Sequence, residues 1–104
     1  MYEAPGMQLV EETETNSGWR FAFEMGGDDP RRAFQLTVSW QDHEDIAGGG
    51  VPPSELADAA ARTLIEFWAT SGDAGQPQIS RIDLSTARRL VPGFVEGVRS
   101  KLAR

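Results

Sequence analysis

The chain has 104 residues, no cysteine, a single histidine and a net charge of −6 at neutral pH, which excludes disulfides, thiolate metal sites and cysteine nucleophiles. Its 39% hydrophobic content is enough for one core, so a single domain over residues 1–104 is expected. No stretch approaches the ~20 apolar residues of a membrane span, and residues 1–10 show no basic start followed by an apolar run, so the expectation is a cytoplasmic protein with no membrane partner.

Met7 to Thr15 combines Leu9 and Val10 with Glu11, Glu12 and Glu14, the pattern of an edge strand with a charged outer side. Asn16, Ser17 and Gly18 supply a turn of the kind that tolerates positive φ. Trp19, Phe21, Phe23 and Met25 then alternate with Arg20, Ala22 and Glu24, as a half-buried strand requires when successive side chains point to opposite faces. Gly26 to Pro30 breaks the chain again. Ala33 to Gln41 resumes the alternation, with Phe34, Leu36, Val38 and Trp40 inward and Gln35, Thr37 and Ser39 outward. These segments predict a three-stranded antiparallel meander.

A sheet with one apolar face needs a second layer. Pro52 and Pro53 suit a helix entry, Ser54 can cap, and Glu55 and Asp58 complement the positive end of the dipole. From Leu56 to Trp68 the residues Ala57, Ala60, Ala61, Leu64 and Ile65 recur at helical spacing, with Asp58, Arg62 and Glu66 four apart on the opposite side. The spacing predicts a helix over Ser54 to Ser71, ended by Gly72, and a loop from Asp73 to Pro77. Ile79 and Ile82 anchor a short connection, Asp83 or Ser85 caps a brief helix through Leu90, and Pro92 opens a last helix with Phe94, Val95, Val98 and Leu102 in its apolar stripe. The expected fold is α+β in two layers, the sheet covered on one face by the long helix and the C-terminal helical pair.

The run from Ile82 to Phe94 (Ile-Asp-Leu-Ser-Thr-Ala-Arg-Arg-Leu-Val-Pro-Gly-Phe), behind the helix start Pro-Pro-Ser-Glu-Leu, resembles small stand-alone bacterial domains of uncharacterised activity. The resemblance implies a shared fold and transfers no catalytic residue.

Charge is unevenly placed. Residues 1–50 hold ten acids against Arg20, Arg31 and Arg32, whereas residues 51–104 hold six acids against seven bases. A net negative surface repels phosphate backbones at long range and argues against general nucleic-acid binding. Two local clusters stand out. Asp42, His43, Glu44 and Asp45, just before Gly48, Gly49 and Gly50, combine residue types that can ligate a metal or act as an acid/base pair, although neighbours on an extended chain point apart and a solvated charged loop is the plainer account. The glycines precede a helix, but no Walker spacing or dinucleotide fingerprint accompanies them, and two prolines remove N–H groups an anion would use. Arg81, Arg88, Arg89, Arg99 and Lys101 give the final segment a positive balance that can dock an acidic partner, although cations at helix C-termini are favoured by the dipole in any case. Aromatic residues are not interleaved with these bases as single-strand binders require. Trp19, Trp40 and Trp68 fall on inward registers and read as core.

A 104-residue chain with one His, no Cys and one Lys has few ways to build a nucleophile, a base and an oxyanion site together, so no catalytic residue, metal or cofactor is assigned. The expected function is a non-enzymatic interaction module, whose partner is another protein or a second copy. The surface is either the outer sheet face, carrying Arg20, Glu24, Gln35, Thr37 and Ser39, or the basic helical end. The alternatives are a ligand- or metal-binding protein or enzyme using the Asp42 to Gly50 segment, and a nucleic-acid regulator using the C-terminal bases.

Overall fold

The computed structural model describes residues 8–24, 33–68 and 81–102. In chain order they form β1 (Gln8–Glu14), β2 (Gly18–Glu24), β3 (Ala33–Ser39), α1 (Trp40–Ile46), α2 (Pro53–Trp68), β4 (Arg81–Asp83), α3 (Leu84–Leu90) and α4 (Phe94–Leu102). The class is α+β, but the sheet is four-stranded and mixed, in the order β1-β2-β3-β4. The expected meander accounts for its first three strands, which pair antiparallel. The fourth, β4, lies parallel to β3 with Leu36 opposite Ile82. Ile82 therefore belongs to a strand and not to a connection; Ile79 lies outside the described residues, as do Met25, the Gly26 to Pro30 breaker and the Asp73 to Pro77 loop.

Alternation sets the two faces of the sheet. Phe21, Phe23, Phe34, Leu36 and Val38 are buried, while Arg20 and Glu24 are exposed and Ala22, Gln35 and Thr37 half-buried on the other side. The rings of Phe23 and Phe34 stack at 5.4 Å, and Trp68 of α2 meets Phe34 edge-on at 5.6 Å. Leu56, Ala57, Ala60, Ala61, Leu64 and Ile65 of α2 join the same cluster, where each fully buried large side chain contributes about 1.5–3 kcal/mol. The long helix begins one residue before the expected Ser54, with the Pro52 carbonyl accepting from the Glu55 and Leu56 N–H groups; Ser71 and Gly72 are outside the described residues. Phe94 and Val98 of α4 are buried as the apolar stripe requires. At Gly97 an added Cβ would lie 3.2 Å from the Thr63 Cγ2, so the glycine brings α4 close against α2.

Local expectations are corrected in three places along the chain. The turn after β1 is a two-residue loop, Asn16–Ser17, closed by the Thr15 N–H donating to the Gly18 carbonyl at 2.8 Å. Gly18 itself lies in β2 and does not have positive φ; it is required because a Cβ there would sit 2.0 Å from the Val38 carbonyl oxygen of β3. The chain leaves β3 at Ser39 and not Gln41, and turns directly into α1, because the Ser39 Oγ accepts from the Asp42 N–H at 3.1 Å and caps the helix. Asp42 to Asp45 thus form a helix where an extended loop was expected. Trp40, expected inward, is 52% exposed, since the strand whose alternation would have buried it has already ended. Near the other end of the chain Asp83 is the N-cap of α3 without a side-chain cap bond, and Gly93, at φ 68°, makes the bend into α4, which starts at Phe94 and not at Pro92.

Candidate functional site

Two bases of the C-terminal cluster, Arg88 and Arg99, meet the acidic segment in space. The seven residues of α1 are too few to hold a helix by backbone bonding alone. Their support comes from around 50 residues further along the chain. Arg88, in the last turn of α3, places its Nη1 2.8 Å from the Asp42 Oδ1 and 3.7 Å from the Asp45 Oδ2. Asp42 is only 7% exposed, so its carboxylate needs that partner. Arg99 of α4 donates from Nε to the Ile46 carbonyl at 3.2 Å and from Nη2 to the Asp45 carbonyl at 2.8 Å, satisfying acceptors that the C-terminal end of α1 leaves open.

His43 is held as well. Its Nε2 donates to the Val51 carbonyl at 2.7 Å, which requires the proton on that nitrogen, and its ring meets Trp19 edge-on at 5.4 Å. The Gln41 Nε2 donates to the Asp45 Oδ1 at 2.9 Å. Glu44 is exposed. Apart from Glu44, the polar side chains of α1 are therefore engaged with one another, with the Val51 carbonyl or with the C-terminal helices, and among the described residues no three Asp, Glu or His side chains converge as metal ligands do.

The bases do not share one surface. Arg88 and Arg99 clasp α1, and the Lys101 Nζ lies 2.8 Å from the Glu66 Oε1 of α2. Arg89 is exposed and, among the described residues, reaches only the Thr86 Oγ1 of its own helix, at 3.5 Å. Arg81 stands on β4, opposite Gln35, on the outer side of the sheet.

That outer side also carries a feature with no signature in the sequence. A shallow cavity of about 300 Å³ is lined there by Val10, Ala22, Glu24, Ala33, Gln35 and Arg81. The Gln35 Oε1 is buried and has no hydrogen-bond partner among the described residues. A buried acceptor left unpaired costs about 1–3 kcal/mol. Val10 is the extra residue of a bulge in β1, between the Leu9–Phe23 and Glu11–Ala22 pairs, and the irregularity leaves its side chain 48% exposed at the cavity rim.

No family model, curated protein or solved structure matches this chain. The comparisons supply no residue roles, and any functional reading rests on the geometry above. Among the described residues, no helix is long and apolar enough to cross a membrane.

Proposed function

We propose that this protein is a non-enzymatic protein-interaction module that binds its partner through the outer face of the sheet. The observation that carries this is the unpartnered, buried Gln35 Oε1 beside the cavity between Val10 and Arg81. Native proteins pair nearly all buried acceptors, so one left open on a sheet face with no described helix over it is met most economically by a donor from another molecule. Arg20, Glu24 and Arg81 surround it with exposed charge that can fix orientation. The competing basic helical end is weakened as a docking surface because Arg88, Arg99 and Lys101 already bond within the chain.

The test is purification of the tagged protein from its host, in wild-type form and with Thr37→Arg or Arg89→Glu. A stoichiometric protein partner kept by Arg89→Glu and lost with Thr37→Arg is the expected result. Recovery of the wild-type protein alone, or loss that follows Arg89, would overturn it. Nucleic acid in the eluate that is stripped by moderate salt would instead favour the regulator reading.

A further inference from the structure

The sheet has two edges, and they differ in what they can accept. At one end β4 is three residues long and runs straight into α3, so it offers almost no backbone to a neighbour. At the other, β1 spans Gln8–Glu14 and pairs only with β2, leaving its far side with free N–H and C=O groups among the described residues. Beyond the Val10 bulge the register is regular: Glu11 opposes Ala22, Glu12 opposes Phe21, Thr13 opposes Arg20 and Glu14 opposes Trp19. Glu12 and Glu14 therefore share one face at a spacing of two, and Glu11 stands on the other face with Thr13. All three glutamates are exposed, and none pairs with a cation among the described residues.

We propose that the β1 edge accepts an extended segment of a partner protein carrying Lys or Arg at alternate positions, which adds a fifth strand to the sheet. This rests on the interaction-module reading and names its partner. The edge supplies main-chain bonds, and the charges choose the occupant. A second copy of β1 is disfavoured, because like charges would come face to face across the new pairing, whereas opposite charges directly across strands stabilise by about 0.2–1 kcal/mol each. A cation opposite Glu12 and another opposite Glu14 meet this geometry with a two-residue spacing. On the other face Arg20 already stands on β2 beside Thr13, so the requirement for a cation is weaker there.

The probe is a set of nine-residue peptides: alternating Lys-Val, alternating Glu-Val, and a Lys-Pro peptide of the same charge that cannot pair as a strand. Trp19, directly opposite Glu14, serves as the fluorescent reporter, alongside amide chemical shifts of residues 8–14. Lys-Val is expected to shift the β1 amides and to bind at least tenfold more tightly than either of the others. Its affinity should fall severalfold between low and high salt and be lost with Glu12→Lys/Glu14→Lys. N-methylation of alternate Lys-Val amides should abolish binding in one register and spare it in the other. Equal binding by Lys-Pro, or indifference to both methylation registers, would overturn strand addition. If the partner recovered from the host still binds Glu12→Lys/Glu14→Lys, this inference fails while the interaction-module reading stands.

Discussion

Two acidic segments of this protein have opposite fates. In α1, Asp42 and Asp45 are answered by Arg88, and the helix end is answered by Arg99. On β1, Glu11, Glu12 and Glu14 face water with no cation paired to them among the described residues. Similar side chains thus act as structural fasteners in one place and as an unanswered surface charge in the other. Residue type did not separate them; burial did. Asp42 is almost fully covered, and a covered carboxylate without a partner is costly, whereas an exposed glutamate keeps its hydration.

The contrast can be broken most forcefully at Arg88. Arg88→Met keeps the stem but removes the guanidinium, and should cost about 1–3 kcal/mol in urea unfolding because the Asp42 carboxylate is left covered and unpaired. Restoring most of that loss with Asp42→Asn in the same chain would show that the carboxylate, and not packing, carries the cost. A loss below about 0.3 kcal/mol in the single variant would mean that water replaces the pair without penalty. Arg99→Met should act more locally: about 1 kcal/mol, seen chiefly as faster hydrogen exchange at the Ala47 and Gly48 amides, which both donate to the His43 carbonyl at the end of α1. Exchange unchanged at those two amides would separate Arg99 from the helix end it contacts. The smallest effect belongs to β1. Glu12→Gln with Glu14→Gln should move stability by no more than about 0.5 kcal/mol, and any shift should vanish at high salt. A larger, salt-resistant change would mean that these glutamates are part of the fold after all.

Much of the fold is legible residue by residue, because it follows from periodicity. Trp19 to Phe23 and Phe34 to Val38 announce their strands through strict alternation, and Leu56 to Trp68 announces its helix through an apolar stripe over four turns. The two elements that escape are the short ones. The three residues of β4 alternate but are too few to read as a strand, and their parallel partner is chosen by the chain crossing over between β3 and β4. For α1 a signal was present: Ser39 with Asp42 three residues later is the spacing of a helix N-cap. It was masked because Trp40 continues the alternation of β3 by one residue past its end. The pairing of Asp42 with Arg88 could not be read in advance, since nothing local relates residues 46 apart. Gln35 looked like an ordinary outward polar residue, and only the folded sheet reveals that its side-chain oxygen is enclosed.

The parallel placement of β4 also has a consequence in time. The hairpins of β1, β2 and β3 are close in sequence and can form as soon as they are synthesised, but the strand that completes the sheet follows β3 by about forty residues. At about 5–20 residues per second, a ribosome needs some seconds to supply it. Until α2 has been made, in the first part of that interval, the nascent chain carries Phe21, Phe23, Phe34, Leu36 and Val38 on a face without the long helix over it. Like charges on Glu11, Glu12 and Glu14 disfavour edge-to-edge pairing between neighbouring nascent copies over that time.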